Sequence, residues 1–320
     1  MSADQDPAAT GASQGGAGAT GSRRAGSHGT GEPPQPKTAG EMLAMARSFL
    51  ERKQIEESRL EAELLVAHAL GVSRLGLFMA LERPLSRVEV DGARDALVRR
   101  GKREPVAYIT GSREFYGRDF AVAAGVLIPR PETELLVDLA RERCAQLGTQ
   151  DPLLLSDLGT GSGCLAITLD LEIENARLLA ADISPSAALQ ARHNAQALGA
   201  SVEVLVGDGF DCLLPRGPFH GVVSNPPYVM RSEEPSLAPE VRDFEPELAL
   251  YAPDGDPDHW VRKLLEHMDE LLLPGGFLFV ELGAAQGPRV LQLAQQSGRE
   301  ARLHKDLARL PRVLEVTRGT

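Results

Sequence analysis

Cysteine is scarce in this chain. Cys144, Cys164 and Cys212 are its three cysteines, and no two of them form a C-x-x-C pair. That spacing supports neither a disulfide framework nor a structural zinc site, and it fits reduced thiols in a cytoplasmic protein. The seven histidines include no H-E-x-x-H, so the zinc-hydrolase signature is missing. His193, in a helical stretch, reads as a surface or core residue rather than a ligand, and no metal is expected. No apolar run is long enough to span a bilayer. Positive charge is short too: 34 Lys and Arg against 45 Asp and Glu give a formal net charge of −11. A broad basic footprint for nucleic acid is therefore disfavoured, although a local patch can oppose the net sign. The first forty residues lack Val, Ile, Leu, Phe, Trp and Tyr altogether. Such a segment buries too little apolar surface to offset the entropy of ordering, so a disordered tail is expected over 1–38. Arg23-Arg24 is followed by no apolar segment, which rejects an export signal.

What remains is ample for a core. The chain has 320 residues and 42% hydrophobic content, enough for one large or two modest domains. Its most informative stretch is Asn225-Pro226-Pro227-Tyr228, directly after the apolar run Gly221-Val222-Val223-Ser224. Two prolines cannot continue a sheet ladder, because each lacks an N–H and fixes φ. The chain must leave the sheet there as a stiff loop carrying an amide, an aromatic ring and unpaired carbonyls. Such groups suit a planar substrate bearing an NH2. The Asn225 oxygen and the Pro226 carbonyl would accept its two N–H bonds, and Tyr228 would stack on its face. Taken alone, the same four residues also fit an ordinary proline turn.

Upstream, Leu153–Asp157 has strand character and leads through Gly159-Thr160-Gly161-Ser162-Gly163 into an apolar helix from Cys164. Strand, glycine turn, helix is the nucleotide-site layout of doubly wound folds. The next strand ends on Asp182, about twenty residues beyond the glycines, where an acid bonds ribose hydroxyls. Asp182 also fits a cap for the helix near Pro185. The spacing G-x-G-x-G differs from the pyrophosphate-binding G-x-G-x-x-G, so a cofactor without a pyrophosphate fits better. A third strand, Val202–Val206, ends at Gly207-Asp208-Gly209-Phe210, and the fourth ends at Asn225. Ligand sites of open α/β sheets lie outside the carboxyl ends of the strands, and all four loops sit at such ends.

In this order, D-L-G-T-G-S-G, A-D-I-S, G-D and S-N-P-P-Y resemble a class I S-adenosylmethionine-dependent methyltransferase acting on amide or amino nitrogen. The stretches Pro105–Gly111, Arg113–Gly117, Leu127–Glu134, Asp243–Pro246 and Leu303–Ala308 are similar to landmarks of the release factor glutamine methyltransferases, the PrmC/HemK family. The likeness runs from about Glu41 to the C-terminus. It implies a doubly wound, mostly parallel seven-stranded α/β sheet with a small N-terminal helical domain. The division it implies is a tail over 1–38, a helical substrate-recognition domain over 39–111, a hairpin linker over 112–128 and a methyltransferase domain over 129–320. The residues agree. Met42, Met45, Ala46 and Phe49, then Leu60, Leu64, Leu65, His68 and Leu70, recur mostly at three- and four-residue steps. Gly117 and Gly125 punctuate a hairpin. Gly275-Gly276 precede a fifth strand, Phe277–Leu282, and two short strands near Ala301–Leu303 and Arg312–Val316 fit an antiparallel edge.

The resemblance further implies a protein-(glutamine-N5) methyltransferase specific for peptide chain release factors, with S-adenosylmethionine as cofactor. Asn225 and the Pro226 carbonyl would orient the glutamine NH2, with Pro227 and Tyr228 lining its pocket. Gly159, Thr160, Gly161, Ser162 and Gly163 would approach the methionine part of the cofactor, Asp182 its ribose, and Asp208 with Gly209 its adenine, and Asn225 would touch the cofactor as well as the substrate. Gly209 departs from relatives that place a bulky side chain there, so adenine packing falls to Ile183 and Phe210. A monomer in the cytoplasm, without membrane or direct nucleic-acid contact, is expected. Two rivals stay open at this stage. DNA adenine-N6 methylation uses the same acceptor geometry on a flipped base and predicts a basic cleft. A non-catalytic nucleotide-binding scaffold would need none of the N-P-P-Y stretch.

Overall fold

The protein, described here from a computed structural model, is defined over residues 36–149 and 151–319. Residues 1–35 of the expected disordered tail lie outside the described residues. Pro36–Thr38 run into the first helix: the Thr38 side chain accepts the Glu41 N–H at 3.2 Å and caps α1 (Ala39–Arg52). Helices α2 (Ser58–Ala69), α3 (Arg74–Met79), α4 (Arg87–Gly101) and α5 (Val106–Thr110) follow. A reciprocal capping box between Ser86 and Glu89 starts α4, satisfying donors that a helix start leaves unpaired. Met42, Ala46, Leu50, Leu65, Val66, Leu77 and Leu97 meet in a core belonging to this bundle. Met45 and Leu60, read from periodicity with the apolar face, are 40% and 37% exposed instead.

After Gly111, strands β1 (Ser112–Phe115) and β2 (Arg118–Ala121) form the hairpin. Tyr116 and Gly117 both take positive φ, 51° and 71°, the tight turn whose twist matches paired strands. The main sheet contains β3 (Leu153–Leu158), β4 (Ala176–Asp182), β5 (Val202–Val206), β6 (Phe219–Ser224), β7 (Leu272–Glu281), β8 (Glu300–Lys305) and β9 (Pro311–Thr317). Its order is β5-β4-β3-β6-β7-β9-β8 across seven strands, with β9 antiparallel to both β7 and β8. The expected doubly wound sheet with an antiparallel edge is therefore present. One detail differs: β7 begins before Gly275-Gly276 rather than after them. The Gly275 N–H donates to the Arg318 carbonyl and the Arg318 N–H to the Gly276 carbonyl, at 3.0 and 2.9 Å, so pairing carries the strand through both glycines.

Helices α6 (Glu134–Leu147), α7 (Cys164–Glu172) and α8 (Pro185–Leu198) pack on the sheet. The central strands read as continuous apolar runs because both their faces are covered. Parallel pairing from β5 to β7 brings the ends of β3, β4, β5 and β6 to one rim. The bundle is tied to this half by Arg100, 2% exposed, which bonds Glu61 at 2.6 Å and Glu240 at 2.8 Å. Among the described residues no helix is long and apolar enough to cross a membrane.

Candidate active site

A cavity of about 520 Å³ opens at that rim, and all four strand-end loops line it. The glycine loop is pinned from behind, with the Gly159 and Thr160 N–H groups donating to the Ala181 carbonyl at 2.9 and 3.1 Å. Gly159 and Gly161 take φ of +78° and +58°, and a Cβ at either would meet nothing within 4 Å. Their backbone thus faces open space that a ligand can approach. Thr160 and Ser162 also line the cavity. Gly163 does not: a Cβ there would lie 2.8 Å from Ile167 Cδ1 and 3.1 Å from Ala191 Cβ, so its glycine serves the packing of α7 on α8.

Behind the loop lies Asp157, 0% exposed. Its Oδ2 accepts the Thr160 hydroxyl at 2.6 Å and the Ala166 N–H at 3.3 Å, while Oδ1 has no partner. Burial pushes its carboxyl up to about 7, the two hydrogen bonds opposing. Asp182 accepts the Gly161 N–H and the Ser184 N–H, both at 2.8 Å. Its pKa is raised by burial against those two bonds. Asp182 is not the cap of α8; the Ser184 side chain is.

Ile183, 54% exposed, and Asp208 line the next wall. Gly209 is sterically fixed, since a Cβ would fall 1.8 Å from Leu158 Cδ1. Phe210, expected beside adenine, is not among the lining residues. It stacks on Trp260, ring centres 6.2 Å apart and planes 16° apart, and Trp260 lines the cavity in its place, with Tyr251 and His259 also on the wall.

At the fourth strand end, Asn225, Pro226 and Pro227 line the cavity. The Asn225 Nδ2 donates to Thr133 Oγ1 at 3.2 Å, and the Thr133 hydroxyl donates to Glu281 Oε2 at 2.6 Å. Thr133 and Glu281 are each 2% exposed. Burial pushes the Glu281 carboxyl up to about 7 against the Thr133 bond. Among the described residues no donor reaches Asn225 Oδ1 or the Pro226 carbonyl. Tyr228 stands outside the lining residues. Its ring lies against Gly283, where a Cβ would sit 3.3 Å from Tyr228 Cδ2, and burial raises its phenol. The Ile128-Pro129-Arg130 stretch is clamped over the site by Glu245, which pairs with Arg130 and accepts the Ile128 N–H at 3.2 Å.

Sequence reading brought together Gly159–Ser162, Asp182, Ile183, Asp208, Gly209 and Asn225–Pro227. It missed Thr133, Glu281 and Trp260 as site residues. For Glu281 a signal existed: an acid at the carboxyl end of a buried apolar strand. Among the described residues no group of three His, Cys, Asp or Glu is placed to hold a metal ion.

Comparison with known proteins adds to this geometry. Residues 41–111 match the PrmC N-terminal domain and residues 135–240 the Methyltransferase small domain. A release factor glutamine methyltransferase from Chlorobaculum tepidum is 41% identical over 281 residues, covering 86% of this chain and 95% of that protein. One from Geobacter sulfurreducens is 38% identical over 269 residues, covering 83% and 92%. A solved protein-(glutamine-N5) methyltransferase (release factor-specific) from Alicyclobacillus acidocaldarius is 29% identical, covering 63% of this chain and 100% of that one at a TM-score of 0.40.

Proposed function

This chain belongs to the release factor glutamine methyltransferase family, and we propose that it methylates the side-chain amide nitrogen (N5) of the glutamine in the Gly-Gly-Gln loop of peptide chain release factors. The observation that carries this reading is the pair of unclaimed acceptors, Asn225 Oδ1 and the Pro226 carbonyl, on the same cavity as the glycine loop and Asp182. Two acceptors on consecutive residues of one cavity wall suit an NH2, which has two hydrogens to donate.

S-adenosylmethionine fits the residues present. A cavity of about 520 Å³ is in the range of small-molecule sites. Gly159 and Gly161 leave their backbone open, Asp182 offers a carboxylate for ribose hydroxyls, and Trp260 and Ile183 offer apolar surface for adenine. When bound, the cofactor supplies an electrophilic methyl group. The remaining work belongs to positioning. An amide nitrogen is a poor nucleophile, because its lone pair is delocalised into the carbonyl. Holding it in line supplies several kcal/mol, up to roughly 7–11 in ideal cases. Asn225 and Pro226 also favour the positive charge that develops on nitrogen. Tyr228 braces the loop from behind through Gly283.

The protein substrate would be met in the cytoplasm. Incubation with methyl-labelled S-adenosylmethionine and either a release factor or double-stranded DNA tests the reading. Label on the factor is expected. Label on DNA with none on the factor overturns the proposal.

A further inference from the structure

We infer that Thr133 and Glu281 are positioning residues for the transfer, fixing which end of the Asn225 amide faces the substrate. The inference rests on the function proposed above and adds to it the device that sets acceptor polarity. The two ends of a primary amide are nearly the same shape, so packing alone does not choose between them. A flipped Asn225 would present its own NH2 to the glutamine NH2, donor against donor. The hydrogen bond to Thr133 Oγ1 at 3.2 Å holds one end of that side chain. A hydroxyl by itself cannot choose either, since it donates or accepts equally well. Glu281 breaks the tie. An ionised carboxylate accepts only, and at 2.6 Å it takes the Thr133 hydrogen. Thr133 Oγ1 is left with lone pairs, so only the NH2 end of Asn225 can bind it, and Oδ1 is turned outward. Thr133 and Glu281 are each 2% exposed, which keeps water from substituting for either.

The three residues come from three segments: the loop after β6, the short turn Pro131–Thr133, and the last residue of β7. Neighbouring strands bring two of them together, Ser224 pairing with Val280 one residue before each. The polarity holds while Glu281 is ionised. Once protonated, Glu281 can donate to Thr133 and release the Thr133 hydrogen toward Oδ1, which permits the flip. Burial sets that carboxyl at about 7, with Glu132 pushing in the same direction and Thr133, Arg312 and Arg130 opposing; the Tyr228 phenol also faces it. The kcat should therefore rise with pH through about 7.

The test is a set of variants of the full chain, assayed on a release factor bearing the Gly-Gly-Gln loop, with cofactor affinity measured by calorimetry. Thr133→Val should lower kcat at least about tenfold, the effect of one lost charge-assisted bond, with cofactor Kd unchanged. Thr133→Ser should recover most of it. In an Asn225→Ala background, Thr133→Val should cost almost nothing more, since it acts through Asn225. Glu281→Gln should be slower and should lose the pH dependence near about 7. A serine variant as poor as the valine variant, additive losses in the double variant, or an unchanged pH profile in Glu281→Gln would each overturn the role. A wild-type enzyme that labels no glutamine overturns the proposed function and this role together; an active wild type matched by Thr133→Val overturns the role alone.

Discussion

The helical bundle and the cavity both bury carboxylates, and two at the cavity lack the arginine partners that the bundle supplies. In the bundle, Glu63 is 2% exposed and accepts from Arg74 at 2.6 Å and Arg59 at 3.2 Å. Burial pushes its carboxyl up, but the two arginines outweigh it and hold it below the ordinary range. Arg100 sits equally buried between Glu61 and Glu240. At the cavity, Asp157 and Glu281 are 0% and 2% exposed and are bonded only by hydroxyl and backbone donors. Both are pushed up to about 7, by burial first. Paired charge fixes the bundle and joins it to the sheet. Behind the cavity loops Asp157 and Glu281 have no such partner, while Glu245 over the site is paired with Arg130.

The largest expected effect breaks the paired side. Arg100→Leu strands Glu61 and Glu240 and should destabilise the protein by about 3–5 kcal/mol in urea unfolding. Glu281→Gln should leave the midpoint unchanged or raised, because it removes a carboxyl that burial disfavours. An equal loss in both variants would erase the distinction. Next in size, Asn225→Ala should lower turnover by on the order of 100- to 1,000-fold, with cofactor affinity unchanged by calorimetry. A matching loss of affinity would place Asn225 in the cofactor site instead. Asp182→Ala should weaken S-adenosylmethionine binding by about 1.5–3 kcal/mol through loss of a charge-assisted bond, and unchanged affinity would remove Asp182 from the site.

The smallest effect is in the pH dependence of stability. Asp157 and Glu281 bind protons more tightly folded than unfolded. Their contribution is full below about 4 and is lost as pH rises through about 7, on the order of 1 kcal/mol or more each. Glu89, held at about 2 by the Ser86 backbone N–H, Arg83 and the Ser86 hydroxyl, behaves oppositely. Its contribution is present above about 4.5 and is lost as pH falls toward about 2. Asp157→Asn should flatten the fall in melting temperature between about pH 4 and pH 7 and leave the profile below about 4 alone. A profile unchanged on both sides would refute the raised carboxyl at Asp157.

The features legible in the sequence were those carried by local chemistry. Apolar runs ended by glycine or proline marked β3 to β6, and Asn225-Pro226 could only be a loop leaving a strand. Other features depended on distant partners. Thr133 meets Glu281 across 148 residues, a contact no local pattern encodes. Trp260 replaces Phe210 at the cavity wall because Phe210 is stacked behind it. Gly163 belongs to the glycine pattern, yet its conformation is set by Ala191 and Ile167. Gly275-Gly276, read as preceding the fifth strand, lie within it because Arg318 pairs with both.

The central claim is that Asn225 presents an amide nitrogen of one glutamine for methylation. The most direct measurement is peptide mapping by mass spectrometry of a release factor treated with S-adenosylmethionine and either the wild-type protein or Asn225→Ala. The account predicts one added methyl group, on the glutamine of the Gly-Gly-Gln loop, with the wild type and almost none with the variant. A methyl group at another residue, or equal modification of that glutamine by Asn225→Ala, would contradict it.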